Sequence, residues 1–405
     1  MSIQSTGSGF TPIKVDPRLL AEDPHAKLAK LRRQHALVQL GERQYMALRA
    51  EDVLAMLTDP RTSQVDGPEY VKLQAIPDGA TADFMSEFFL FSNGAEHRAK
   101  RGYFSRAFAF SKIREIRPEV RKVADGIVAS LPRGESFEFV EQMAARIPAE
   151  MIAAILGLPA SDADHFAPLV HSMSRAIRPV YPHAHHGEIE SAVKSLRDYV
   201  GDALRARLDV PCGDMLSNLV ADWHENPVIT FDSLVHQVLG VIVGGTDTTR
   251  AGFAMLVSLL LQHPEAWRAV KSDPALAGGA VSEALRYDPV VGSVARLTTK
   301  SLTVREFTLA PGVLLRLSTL SALRDPLLYS EPERFDIRRT DHPRLHSVFG
   351  LGPHRCLGEM LARIEMEEGL LALAGAAPDI EMLSAPQLTG FGGIRQISDM
   401  VVRIP

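Results

Sequence analysis

Cysteine is scarce in this chain, since only Cys212 and Cys356 occur among 405 residues. Two cysteines cannot form a disulfide framework or a four-cysteine zinc or iron–sulfur site, and their scarcity fits a reducing compartment. No uninterrupted apolar run reaches the roughly 18 residues that a membrane-spanning helix needs, and residues 1–15 have no apolar segment typical of a signal peptide. We therefore expect a cytoplasmic protein with no membrane association.

The chain also lacks an obvious linker and an excess of basic residues. No Ser/Gly-rich or Pro-rich stretch divides it, so we expect one domain over residues 1–405. The net charge of −5 gives no basic footprint for nucleic acid. No G-x-G-x-x-G motif for a flavin or nicotinamide cofactor is present.

The segment 349–358, with the sequence FGLGPHRCLG, surrounds Cys356 with three glycines and a proline. These residues allow tight backbone turns close to a flat, bulky group. A helical pattern begins at Cys356, and the free N–H groups of a helix start favour a thiolate. A single rigid thiolate suits haem iron. Two other interpretations are a buried structural cysteine and a nucleophile paired with His354.

The longest periodic apolar pattern runs from Thr230 to Gln262 and would span roughly 50 Å as a helix. Its centre, residues 244–249, consists of six poor helix formers, which weaken a helix locally. Such residues can simply permit close packing or bending. The alternative is functional: Gly244 would let a flat cofactor approach, while Asp247 and Thr248 would relay the protons that dioxygen cleavage requires.

Two further motifs are pairs of ionisable residues at helical spacing. His97 and Arg101 are four residues apart in a helix predicted to begin at residue 95, and Glu283 and Arg286 are three apart in a helix predicted over residues 279–287. Each pair shares one helix face. If exposed, such pairs contribute little to stability.

Taken in order along the chain, these motifs resemble those of the cytochrome P450 family. The family's Phe-x-x-Gly-x-x-x-Cys-x-Gly loop is matched by Phe349, Gly352, Cys356 and Gly358. Its Ala/Gly-Gly-x-Asp/Glu-Thr, His-x-x-x-Arg and Glu-x-x-Arg motifs are matched by the residues already described. The resemblance covers residues 97–405, whereas the first ninety residues match in general character only.

The resemblance implies a mainly α fold with small β-sheets (α+β), built as a triangular helical prism with a long central helix over the haem. The β-rich parts would be residues 1–95 and the strands of 290–405. The helical part would be residues 96–289 together with the helix that follows Cys356.

The same resemblance implies haem b (iron protoporphyrin IX) as cofactor, with Cys356 as the iron ligand. The propionates would be held by His97, Arg101, Arg296 and His354. Further cofactor contacts would come from Gly244, Phe349, Gly350 and Gly358. Glu283 and Arg286 would be structural, with a third arginine supplied by Arg334 or Arg338.

The implied activity is a monooxygenase that activates dioxygen and hydroxylates or epoxidises a small apolar substrate. A separate ferredoxin and ferredoxin reductase would supply electrons to a monomeric enzyme, with Arg98, Arg344 and Arg355 as docking candidates. A peroxide-driven peroxygenase is an alternative, but it would not need the Asp247-Thr248 pair. A haem-thiolate sensor is the non-catalytic alternative, and a cysteine hydrolase would contain no haem.

Candidate residues of the substrate pocket are mainly apolar: Phe84, Phe88, Leu90, Gly244, Val291, Val294 and Ile394. They suit a terpenoid, a fatty acid or a small aromatic compound. Arg395 could pair with a substrate carboxylate or be exposed. We interpret the cluster of His183, His185 and His186 as a solvated turn, because its spacing fits no regular metal site.

Overall fold

The computed structural model describes residues 12–159, 162–178, 180–343 and 346–405. Its α-helices are α1 (Leu19–Glu22), α2 (Pro24–Gln34), α3 (Ala50–Thr58), α4 (Gly67–Leu73), α5 (Ala80–Glu87), α6 (Gly94–Ser105), α7 (Phe110–Glu115), α8 (Arg117–Ser130), α9 (Arg146–Leu156), α10 (Ala163–Ser174), α11 (His186–Asp209), α12 (Met215–Glu225), α13 (Phe231–Gln262), α14 (Pro264–Ser272), α15 (Ala277–Tyr287), α16 (Thr319–Ala322) and α17 (Glu359–Ala376). A π-helical turn at Val140–Ala144 precedes α9.

The strands are short and form four sheets. They are β1 (Leu37–Gly41), β2 (Gln44–Ala47), β3 (Thr62–Ser63), β4 (Ser136–Glu138), β5 (Val291–Thr298), β6 (Leu302–Val304), β7 (Phe307–Leu309), β8 (Leu314–Ser318), β9 (Glu381–Ser384), β10 (Leu388–Thr389), β11 (Gly393–Ile394), β12 (Gln396–Ile397) and β13 (Val401–Arg403). The largest sheet has the order β1-β2-β8-β5-β11, with β3 paired to β5. It therefore joins strands from both ends of the chain.

Helix α13 is continuous, and the sequence explains where it starts. The hydroxyl of Thr230 accepts a hydrogen bond from the Ser233 N–H at 3.0 Å, which caps the first turn. The poor helix formers at its centre do not break it. Thr246 and Thr248 donate their hydroxyl protons to the carbonyls of Ile242 and Gly244, a bond that helix interiors tolerate.

Two apolar cores lie along α13. Its residues 234–243 pack into the first core with α5, α9 and α11, and its residues 251–260 pack into the second with α8, α15 and α17. The Gly-Gly-Thr-Asp-Thr segment falls between these two clusters. The long helix thus holds this segment between two packed regions.

Residues 62–91 contain α4, α5 and a 3₁₀ turn at Phe89–Phe91. The aromatic end of this stretch is buried. In the described residues, no helix combines the length and hydrophobicity needed to cross a bilayer.

Candidate active site

The loop before α17 folds tightly around Cys356. Gly350 and Gly352 have φ of 72° and 71°, a conformation that favours glycine. The main-chain N–H of Cys356 donates to the Phe349 carbonyl at 2.8 Å, and the guanidinium of Arg355 donates to the Gly350 carbonyl at 2.7 Å. These bonds fix the position of the cysteine.

Two expectations about Cys356 need correction. Helix α17 begins at Glu359 instead of Cys356, with Gly358 as its N-terminal cap residue. Burial also raises the pKa of the Cys356 thiol, and the N–H of Gly358 and the charge of Arg101 only partly oppose this rise. Helix amides therefore do not by themselves make this thiol acidic. The residue lies deep in the fold, yet its surface is exposed, which indicates that it faces an internal opening.

Two histidines lie beside each other near this opening. The ring centroids of His97 and His354 are 4.1 Å apart. Burial and nearby cationic arginines lower the pKa of His97 to about 4, whereas burial and His97 itself lower that of His354 to about 3. Nε2 of His97 is buried and has no hydrogen-bond partner in the described part of the chain.

Two arginines lie close to the histidines, and neither pairs with a carboxylate of the residues that the structure describes. Arg101 donates to the Arg355 carbonyl at 2.7 Å, and the pKa of Arg101 is lowered by burial. Arg296 donates to the side-chain oxygen of Gln64 at 2.7 Å, and burial lowers its pKa to about 10. Buried cations without a counter-charge are costly, so this donor set suits a doubly anionic group.

The backbone of α13 is uncovered by side chains at Gly244. Gly244 is exposed, and a Cβ placed there would meet nothing within 4 Å. The Thr248 hydroxyl, one turn further along the helix, donates to the Gly244 carbonyl at 3.1 Å. Here the helix leaves room for a flat group.

Asp247 points into a different environment from Thr248. Its carboxylate accepts a hydrogen bond from Arg250 at 2.7 Å and lies 3.6 Å from Nδ1 of His171. Burial alone would raise the pKa of Asp247, but His171 and Arg250 hold it below its ordinary value. A cavity of about 570 Å³ borders these groups, and Glu141 on its wall pairs with Arg250 at 2.7 Å. No direct bond between Asp247 and Thr248 is present among the described contacts.

The third arginine of the buried ion pair is Arg339, so the prediction of Arg334 or Arg338 was wrong. Glu283 and Arg286 are both fully buried and bonded at 2.7 Å, and Nε of Arg339 lies 3.2 Å from Glu283. The Arg339 side chain is 5% exposed, whereas that of Arg334 is 64% exposed.

The turn from Asp336 to Arg339 explains why Arg339 is the arginine that reaches Glu283. The Arg338 N–H donates to the side chain of Asp336 and the Arg339 N–H to its main-chain carbonyl. The turn directs Arg339 inward and leaves Arg338 exposed. Arg334 takes part only through its carbonyl, which accepts from Arg286 at 3.1 Å.

The proposed pocket residues fall into two groups. Phe84 and Phe88 are buried, their rings stacked 5.4 Å apart, and Phe88 lies against Gly240 of α13; Leu90 is half-buried nearby. On the other side, half-buried Val291, Val294 and Ile394 belong to β5 and β11, which pair directly.

Arg395 is not available to a substrate. It is 3% exposed, pairs with Asp288 and donates to the Leu388 carbonyl at 2.6 Å. His183 and His185 are exposed at the start of α11, and His186 contacts the Tyr181 hydroxyl at 2.7 Å.

The three candidate docking arginines differ. Arg98 is exposed on α6. Arg355 is half-buried and pairs with Glu359 at 2.6 Å. Arg344 lies outside the described residues.

Sequence reasoning missed four residues of this region: Gln64, His171, Arg250 and Arg339. Three of them belong to segments without a recognised motif. Arg250 was detectable, because it follows Asp247 by three residues and helical spacing places both on one face.

Comparison with known proteins agrees with this geometry. A family model described as Cytochrome P450 matches residues 275–373. A plant-inducible cytochrome P450 of Rhizobium radiobacter is 35% identical over 95% of this chain and 91% of its own length. The 20-oxo-5-O-mycaminosyltylactone 23-monooxygenase of Streptomyces fradiae is 32% identical over 97% of this chain and 88% of its own.

A solved structure of a myxobacterial cytochrome P450 in complex with myristic acid superposes with a TM-score of 0.85. It is 27% identical and covers 96% of this chain and 98% of its own. The long helix above the cysteine loop is thus part of the cytochrome P450 fold, as the sequence motifs predicted. On these grounds the chain belongs to the cytochrome P450 family and is an oxidoreductase, a haem b monooxygenase.

Proposed function

We propose that this enzyme inserts one atom of dioxygen into a C–H bond or a double bond of a small apolar substrate. One observation carries the proposal: Cys356 remains accessible although protein atoms surround its thiol, and it lies near His97, Arg101, Arg296 and His354. Haem with a thiolate ligand supplies the chemistry of dioxygen cleavage when it is bound there. Cys356 would be the iron ligand and would act as a thiolate.

Two arginines and two neutral histidines would hold the two haem propionates. Nε2 of His97 has no partner in the described residues, and the Arg296 guanidinium donates to the neutral acceptors of Gln64 and Ala295, so both are suited to carboxylate oxygens. Arg101 and His354 complete this group. Phe349, Gly350 and Gly358 shape the loop on the cysteine side, and Gly244 leaves space on the α13 side.

Asp247 and Thr248 conduct protons from solvent toward the site where dioxygen reacts. Asp247 holds its carboxylate between Arg250 and His171 at the cavity described above. The Thr248 hydroxyl donates a hydrogen bond to the Gly244 carbonyl. Because no bond joins the two side chains in the described contacts, a water molecule or a rotation of Asp247 has to bridge them.

The substrate is apolar, and it lies between Phe84, Phe88 and Leu90 on one side and Val291, Val294 and Ile394 on the other. One similar protein supports this, because it was solved with myristic acid, whose alkyl chain is apolar.

Electrons come from a separate ferredoxin and its reductase, and the enzyme works as a cytoplasmic monomer. No flavin or nicotinamide motif is present in this sequence to supply them internally. Exposed Arg98 is a better docking candidate than Arg355, which pairs with Glu359.

The test is turnover with a ferredoxin, its reductase and NADPH under ¹⁸O₂. We expect product that contains one ¹⁸O atom and electron use that matches product formation. In Thr248→Ala, electron use should continue while product falls about tenfold or more. The matched control is Thr246→Ala, which removes the same type of hydroxyl–carbonyl bond within α13 and should remain coupled.

Product formed only with added peroxide would favour the peroxygenase instead. Unchanged coupling in Thr248→Ala would contradict the proton path.

A further inference from the structure

Most buried arginines of this protein have carbonyl or carboxylate acceptors. Arg395, for example, donates to the Leu388 carbonyl at 2.6 Å and pairs with Asp288. The same is true of Arg32, Arg286, Arg324 and Arg339. Half-buried Arg316 differs, because its guanidinium has no acceptor within the described ranges of the chain.

The charge of Arg316 is therefore poorly compensated. Burial lowers its pKa, and Tyr70 is the single described group that opposes this effect. A desolvated cation without a counter-charge is unfavourable, and an anion that binds beside it would relieve the cost.

The strand register shows which side chains accompany Arg316. In β8 it pairs with Met46 of β2 and with Ala295 of β5. Directly paired residues share one face of a sheet, and so do residues two apart in a strand. Ser293, two residues before Ala295, therefore shares the face of Arg316.

The hydroxyl of Ser293 is a second unused polar group. It is buried and has no hydrogen-bond partner in the described residues. Diagonal neighbours in a sheet are about 7–8 Å apart, a distance that an arginine side chain and a bound carboxylate can span. A guanidinium and a hydroxyl donor thus converge on one face.

Val291, a proposed pocket residue, shares this face, because it lies two residues before Ser293 in β5. Ser293 pairs with Gly393 of β11, and the next pair in these strands is Val291 with Ile394. Tyr70 of α4, which is close enough to Arg316 to affect its charge, donates its hydroxyl proton to the Arg178 carbonyl at 2.8 Å. Helix α4 and the segment after α10 therefore lie over the same region.

We propose that Arg316 and the Ser293 hydroxyl bind the carboxylate of a substrate whose apolar body extends along β5 and β11 toward Val291 and Ile394. This inference rests on the monooxygenase function proposed above and narrows its substrates to apolar carboxylic acids. An ionised acceptor strengthens the bonds of both donors.

Myristic acid and methyl myristate are matched probes, because they share an alkyl chain and differ in charge. Each is titrated into the haem-loaded protein, and binding is measured by calorimetry and by the low-spin to high-spin absorption shift. We expect the acid to bind about tenfold more tightly than the ester. Arg316→Gln should lower the affinity for the acid to that for the ester and leave the affinity for the ester unchanged.

Two further variants sharpen the test. Arg43→Gln removes an exposed arginine at the β1–β2 turn of the same sheet and should keep the preference for the acid. Ser293→Ala should weaken binding of the acid severalfold without affecting binding of the ester. Equal binding of acid and ester by the wild-type protein, or an unchanged preference in Arg316→Gln, would overturn the proposal.

Stability gives a readout that is independent of ligand. Removal of an unpaired charge by Arg316→Gln should leave the melting temperature of the ligand-free protein unchanged or raise it. A fall of several degrees would assign Arg316 a structural role instead. Failure of the underlying function is distinguishable, because the wild-type protein would then lack the carbon monoxide spectrum of thiolate-ligated haem.

Discussion

At the scale of single residues, the buried cluster around Glu283 shows how far a motif determines its surroundings. The sequence predicted the Glu283–Arg286 pair from its spacing, and the structure places both side chains in contact and fully buried. The third arginine could not be chosen correctly, because it follows an irregular turn whose direction no periodicity predicts. Arg339 occupies that position.

Truncation of the third arginine tests this arrangement. Arg339→Ala leaves the buried Glu283 carboxylate short of one cation and should lower the free energy of unfolding by about 3 kcal/mol. Arg338→Ala, one residue away and exposed, should change it by less than about 0.5 kcal/mol. Urea unfolding followed by circular dichroism measures both values. Similar losses in the two variants would contradict the assignment.

Glu365 is a second residue that no motif singled out. It is buried in α17, and neither carboxyl oxygen has a hydrogen-bond partner in the part of the chain that the structure describes. Burial raises its pKa well above the ordinary value. The folded protein therefore retains a proton that the unfolded chain releases at neutral pH, and this glutamate makes the protein less stable as pH rises above about 4.5.

Glu365→Gln should remove this dependence, because glutamine has a similar shape and cannot ionise. We expect the variant and the wild type to unfold at similar urea concentrations near pH 5 and the variant to be more stable at pH 8. The difference in the free energy of unfolding between variant and wild type should grow by at most about 1.4 kcal/mol per pH unit. Glu367→Gln, which alters a residue paired with Arg117, serves as control and should show no such growth. A difference that is independent of pH would show that Glu365 is ionised in the fold.

At the scale of elements, local signals predicted the regular segments well. The sequence predicted a helix that begins at residue 95, a helix over 279–287 and the long helix over 230–262, and the structure has α6, α15 and α13 within two residues of these bounds. Clear apolar periodicity and a threonine cap account for this success.

Elements without periodicity were not predicted. Helices α4 and α5 are short, and burial of aromatic side chains against α13 holds them in place. The parallel pairing of β2 with β8 joins residues far apart in sequence, which no local pattern reveals. The same limit applies to the site: its motif residues were found, but the contacts of Asp247 with His171 and of Arg296 with Gln64 depend on the tertiary fold.

The packing of α5 against α13 is testable at Gly240. A Cβ at this position would lie 2.0 Å from the ring of Phe88, so Gly240→Ala has to displace that ring. Overpacking of this kind typically costs about 1–3 kcal/mol, more than the improved helix propensity returns. Gly252→Ala in the same helix is the control, because its nearest neighbour, Met366, would be at an ordinary 3.6 Å.

Thermal unfolding of the two glycine variants measures the difference. We expect Gly240→Ala to melt several degrees below the wild type and Gly252→Ala to melt at or above it. If Gly240→Ala were as stable as the control, Phe88 would not be held rigidly against the helix.

At the scale of the whole molecule, the proposed active site lies where distant parts of the chain meet. Helix α6 contributes His97 and Arg101, α13 contributes Gly244 and Thr248, and the loop before α17 contributes Cys356. The two apolar cores fix α13 on either side of its glycine-rich centre. The fold thus holds a cysteine loop and a helix with exposed backbone in fixed positions, as a flat cofactor requires.

We propose that Cys356 is the iron ligand of a catalytic haem. The most direct measurement is the absorption spectrum of the purified protein after reduction with dithionite and exposure to carbon monoxide. We expect a strongly red-shifted Soret band in the wild-type protein and its loss in Cys356→His. A band at the position typical of histidine-ligated haem in the wild-type protein, or no haem spectrum at all, would contradict it.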